Sequence, residues 1–143
     1  MAHAAVTADH FTAYVREIAD DKVVLHPPGT DYRLHLVLDR PLQADVGDRV
    51  EGVVRARAKR VDVVPSGGRY VEPGYGRPRR AQGMVVGGDA ASHALKVHCG
   101  GCLMLAELTD PRQRLSDFKL HQLVSFDVER GARFEPHPSR GSA

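Results

Sequence analysis

The chain has no tryptophan, only two cysteines in 143 residues, and an aromatic content of 6%. Two cysteines cannot staple a disulfide scaffold of the secreted kind, so a reducing compartment, the cytoplasm, is the expected location. Neither sign of charge dominates: 20 Lys plus Arg stand against 18 Asp plus Glu, a net charge of +2. No overall field therefore announces a nucleic acid or a membrane, and any partner has to be argued locally. No apolar run approaches the roughly 20 residues of a membrane span, and Met1 to Val15 lacks a basic start followed by an apolar stretch. Neither a transmembrane helix nor a signal peptide is expected. Catalytic signatures are missing too. The eight histidines are scattered, and no His-Glu-x-x-His pattern, Gly-rich phosphate loop or Gly-x-Ser-x-Gly elbow occurs. Asp20-Asp21 and Asp45 with Asp48 look like paired carboxylates but fall at turns, where Asp bonds its own backbone. With no convergent polar cluster, the expectation is a non-enzymatic protein without a cofactor.

What the sequence does have is alternation. Tyr32 to Asp39 places Leu34, Leu36 and Leu38 on one face and Arg33, His35, Val37 and Asp39 on the other, the period of a half-buried strand. Further strands are expected at Thr12 to Ile18, Lys22 to His26, Arg49 to Lys59, Gln82 to Val86, Leu95 to Cys99, Cys102 to Leu108, Leu123 to Glu129 and Ala132 to Glu135. One helical turn is expected at Pro111 to Asp117, with Asp110 as its cap and Pro111 in the first position. The halves resemble each other. Val15 corresponds to Val85 and Leu38-Asp39-Arg40-Pro41 to Leu108-Thr109-Asp110-Pro111, both displaced by 70 residues, and Val46 to Val54 corresponds to Leu120 to Val128, displaced by 74.

Five short antiparallel strands in about 55 residues, with a helical turn between the third and fourth, resemble the OB-fold, a Greek-key barrel. The resemblance is topological and covers residues 11–64 and 81–136. It implies an all-β chain of two tandem five-stranded barrels from an internal duplication: a first barrel over 1–64, a linker over 65–80, a second barrel over 81–138 and a tail over 139–143. An SH3-like barrel, which lacks the helical turn, is the competing architecture. Half a chain of this size buries little core alone, so the halves are expected to pack on each other or on a second copy in a homo-oligomer.

Charge is spread unevenly. Residues 1–48 hold 4 basic and 8 acidic side chains, 49–81 hold 9 and 3, and 82–143 hold 7 and 7. Alternation along the fourth strand puts Arg55, Arg57 and Lys59 on one face, opposite Val50 and Val54. With Arg60, Arg69, Arg77, Arg79 and Arg80, and with Tyr70 and Tyr75 for stacking, these residues form a candidate surface for single-stranded nucleic acid. The competing expectation is internal. At the 74-residue displacement Val53 and Arg55 correspond to Asp127 and Glu129, so the stripe has acidic counterparts to pair with. The leading functional expectation is accordingly a binding or assembly module, with a protein partner or single-stranded nucleic acid as ligand and no membrane.

His98-Cys99-Gly100-Gly101-Cys102 is the one segment that looks like a chemical site, with His93 as a further candidate ligand. A metal or redox site is the alternative it raises. No second ligand pair exists, and Gly-Gly suits a two-residue hairpin turn, so Cys99 and Cys102 are expected to flank that turn as free thiols without metal.

Overall fold

In residues 6–137, those described in the computed structural model, eleven strands and a single turn of 3-10 helix, Leu115–Asp117, carry the fold. In the first half these are β1 (Phe11–Ile18), β2 (Lys22–His26), β3 (Arg33–Val37) and β4 (Arg49–Val63). The middle contributes β5 (Tyr70–Glu72) and β6 (Tyr75–Gly76). The second half supplies β7 (Arg80–Asp89), β8 (Ala94–His98), β9 (Leu103–Leu108), β10 (Leu123–Val128) and β11 (Arg133–Pro136). The chain is all-β, as the alternation requires, and every strand belongs to one large sheet. No helix among the described residues is long and apolar enough to cross a membrane. The tail expected at 139–143 lies outside the described residues.

β4 organises the sheet. Its first residues pair antiparallel with β1 (Phe11 with Gly52, Tyr14 with Arg49) and with β11 (Arg133 with Arg55, Pro136 with Gly52). Its later residues run parallel to β9 (Val54 with Met104, Ala58 with Leu108) and antiparallel to β10 (Val128 with Ala58, Val124 with Val63). The pairings β1–β2, β2–β3, β3–β11, β11–β4 and β4–β1 return to their start, as do β7–β8, β8–β9, β9–β4, β4–β10 and β10–β7. Two circuits of hydrogen-bonded neighbours thus share one strand. β11 lies between β3 and β4 in the first circuit, and the end of β4 lies between β9 and β10 in the second.

The sequence places the end of β4 at Lys59, but the strand continues to Val63. The cause is a bulge: Phe126 pairs with Val61 and Val128 with Ala58, so β4 carries one residue more than its partner. That extra residue shifts the side-chain phase, leaving Lys59 and Arg60 both exposed and returning Val61 to the core. The middle of the chain also differs from expectation. Its dense Pro and Gly suggest no regular structure, yet β5 pairs with β7 and β6 runs parallel to β3. Val71 of β5 is buried, and its N–H donates to the Tyr32 hydroxyl at 3.1 Å.

The registers of the halves are related. Phe11 with Gly52 and Tyr14 with Arg49 become Ala81 with Phe126 and Met84 with Leu123 when the first member moves by 70 residues and the second by 74. Bulges follow Val15 in β1 and Val85 in β7, again 70 apart. The core is continuous across both circuits. At one crossing Phe134 of β11 meets Phe11 of β1 edge to face, ring centroids 6.2 Å apart. Backbone approach there is close: a Cβ on Gly52 would lie 2.3 Å from the Glu135 carbonyl oxygen, so no larger residue fits unless β11 moves.

Candidate functional site

The expected basic stripe is occupied from within. Arg55 sits where β4 passes between β11 and β9, with its side chain only 11% exposed. Its Nε and Nη2 donate to the two oxygens of Glu135 at 2.9 and 3.2 Å, and Nη1 donates to Glu107 at 3.4 Å. These hydrogen bonds raise the Arg55 pKa and hold the Glu135 carboxyl below its usual range. Arg57 faces Glu129 at 3.6 Å, Arg60 faces Asp62 at 3.0 Å, and Arg80 faces Asp127 at 2.9 Å. Four of the candidate cations therefore already hold carboxylates. Glu129 takes the stripe residue Arg57, while Asp127 takes Arg80 from the neighbouring strand instead.

Tyr70 is half-buried on β5, its hydroxyl donating to Gln82 Oε1 at 3.2 Å. Arg69 lines a cleft of about 620 Å³ where the loop Pro28 to Asp31 meets the tip of the β8–β9 hairpin. In that cleft His98 Nε2 lies 2.9 Å from the Gly100 carbonyl, which makes Nε2 the protonated nitrogen and leaves Nδ1 to accept from Arg69 at 3.4 Å. Lys59 is exposed on the bulge, with no carboxylate at ion-pair distance among the described residues.

Tyr75 lies on β6 beside β3, and Gly76, with φ +116°, turns the chain before Arg77 and Arg79 lead into β7. The Val128 N–H donates to the Arg79 carbonyl at 2.8 Å, continuing the register in which Arg80 pairs with Asp127. Beyond that bond the two segments leave the ladder, and Arg130, in the turn between β10 and β11, lies near enough for its charge to act on Arg77. The charges of Arg130 and Arg79, together with desolvation as the larger cause, lower the Arg77 pKa. None of the three guanidinium groups has a carboxylate at ion-pair distance among the described residues. Arg130 is the residue that sequence reasoning missed. It is separated by fifty positions from the basic stretch, and only the β7–β10 register brings it alongside.

Two residues before Arg77, Tyr75 is 68% exposed, and its ring lies against His35 of β3, centroids 5.3 Å apart and tilted by 52°. Val37, on the same face of β3, is also exposed.

The thiols are placed as expected for a hairpin. Cys99 N–H donates to the Cys102 carbonyl at 2.9 Å, and Gly100 between them has φ +74°, the left-handed conformation that glycine adopts without strain. Both cysteines are free and buried, and desolvation pushes Cys102 up to about 12 and Cys99 well above its usual value. Among the described residues no group of three His, Cys, Asp or Glu side chains is arranged to hold a metal ion. Of the four turn carboxylates, Asp48 makes the expected backbone bond: its Oδ2 accepts from the Asp45 N–H at 2.9 Å. Compared with known proteins, the chain matches no family model, no curated protein and no solved structure.

Proposed function

We propose that this protein is a non-enzymatic binding module whose ligand is a polyanion, held by Arg77, Arg79 and Arg130. The observation that carries the reading is that cluster, three cations gathered without a carboxylate while their neighbours Arg57 and Arg80 are paired. Like charges brought together in a fold repel one another, and an anion removes the repulsion. A non-enzymatic role is supported by the use already made of reactive side chains: the thiols are buried and protonated, and Asp48 and Glu135 are held in a turn and an ion pair.

In this reading the scaffold is two small OB-like barrels from an internal duplication, a first over 1–64, a linker over 65–80 and a second over 81–138. The matching registers and bulges support it. Each barrel then receives its closing strand from the other half, β11 for the first and the end of β4 for the second. Buried thiols suit a cytoplasmic setting.

The test is retention on a heparin matrix under a salt gradient. The intact chain should be held at low salt and released as salt rises. Arg77→Gln/Arg79→Gln/Arg130→Gln should flow through, whereas Arg57→Gln/Lys59→Gln should elute almost with the intact chain. Retention unchanged by the triple substitution would overturn the reading.

A further inference from the structure

An exposed aromatic ring next to a cluster of unpaired cations distinguishes among polyanions. Three of the four phenylalanines, Phe11, Phe126 and Phe134, are buried, but Tyr75 leaves two thirds of its surface to solvent on a two-residue strand. Its ring lies against His35 at a tilt of 52°, and the His35 Nε2 has no hydrogen-bond partner among the described residues. Most of the Tyr75 ring is open to solvent, Arg77 and Arg79 follow two and four residues later, and Arg130 lies close to Arg77.

Sulfated sugars and inorganic polyphosphate offer no flat π-face. A nucleic-acid duplex has faces, but its bases stack on each other and present only their edges in the grooves, with the phosphates outside. A single strand offers both together. Building on the polyanion reading above, we infer that the ligand is single-stranded nucleic acid, with one base stacked on Tyr75 and the adjoining phosphates held by Arg77, Arg79 and Arg130.

The experiment measures fluorescence anisotropy of three labelled probes with the chain: a single-stranded oligonucleotide, the same sequence as a duplex, and end-labelled inorganic polyphosphate. The single strand should bind more tightly than the duplex. Its affinity should fall with log salt at a slope of about −2, as three phosphate contacts on a single strand require. Tyr75→Ala should weaken single-strand binding about five- to hundredfold and leave duplex binding unchanged, and Tyr75→Phe should restore it, because the π-face rather than the hydroxyl carries the contact. Thermal unfolding of each variant checks that the fold is kept. Equal binding of strand and duplex with Tyr75→Ala neutral would overturn this inference and leave the polyanion reading standing. Binding of polyphosphate without binding of any oligonucleotide would do the same. Failure of all three probes to bind would remove both.

Discussion

Arg55 of β4 and Glu135 of β11, 80 residues apart in sequence, are joined by two hydrogen bonds from one guanidinium to one carboxylate, at 2.9 and 3.2 Å. The pair fastens the last strand of the chain to the strand that both circuits share. Arg55→Ala should destabilise the protein by about 2–3 kcal/mol, because it leaves Glu107 and Glu135 facing each other with no cation between them. Glu135→Gln should cost about 1 kcal/mol, since Glu107 remains to hold the arginine. Urea unfolding at neutral pH measures both.

The same pair sets an acid limit. The Arg55 hydrogen bond lowers the Glu135 pKa below its ordinary 4.5, so the folded state keeps the carboxylate ionised where the unfolded chain protonates it. Its contribution is complete above that value and is lost as pH falls through the depressed folded value. Stability plotted against pH should therefore decline less steeply in this acid range for Glu135→Gln than for the intact chain.

The buried thiols set an alkaline limit of opposite sign. Cys102 stays protonated to about 12 in the fold, against 9.0 ordinarily, so its stabilising share is present below pH 9 and is lost as pH rises toward 12. The alkaline decline should be shallower in Cys99→Ala/Cys102→Ala, whatever the neutral-pH cost of the cavities. Native protein at pH 8 should react with a thiol reagent only as fast as it unfolds, and at once in denaturant.

Gln113 is bound to β4 as if it were another strand. Its Oε1 accepts from the Val61 N–H at 2.9 Å and its Nε2 donates to the Val61 carbonyl at 2.6 Å. Gln113→Ala should cost about 1–3 kcal/mol by leaving both backbone groups of a buried residue unpaired. Gln113→Glu should cost at least as much, because it keeps the acceptor but loses the donor. Thermal unfolding of the two variants checks this.

Much of the strand plan was legible because alternation is local. β2 falls at Lys22–His26 as expected, and β1, β3, β8, β9, β10 and β11 fall within a few residues. What alternation cannot give is the neighbour of each strand. Nothing in Arg133–Pro136 indicates that it completes the circuit of β1, β2 and β3, and the bulge at Lys59 hides the last four residues of β4 by inverting its phase. β5 and β6 were hidden for a related reason. Tyr75–Gly76 is too short to show a period and is a strand only because β3 has backbone groups free beside it. The helical turn was read from Asp110 and Pro111, and Asp110 Oδ1 does accept from the Arg112 N–H at 2.9 Å. The regular 3-10 residues come later, at Leu115–Asp117, since Gln113 is drawn aside to β4. For the candidate site, the run of arginines and Tyr75 was visible. Which of them are free was not, because the carboxylates that bind Arg55 and Arg57 arrive from β9, β10 and β11.

The crossing at Gly52 offers a direct test of this arrangement. Gly52→Ala should cost about 3 kcal/mol, the upper range for overpacking, because backbone on β11 cannot move aside as a side chain can. Deleting the chain from residue 133 onward should expose β1–β3 to hydrogen exchange before β7–β10, although the cut lies in the second half.

Ribosomes make proteins from the N-terminus, and that order has a consequence here. The strand that completes the first circuit is the last of the described strands to be synthesised, and the loop it closes with Arg55 spans 80 residues, which by chain statistics alone sets an entropy penalty of about 4 kcal/mol. While the chain is still growing, β1, β2 and β3 have edges without a partner and Phe11 lacks the ring it packs on. The first half to emerge is therefore a waiting half, open to chaperones and to other nascent chains until Phe134 and Glu135 follow it out of the exit tunnel.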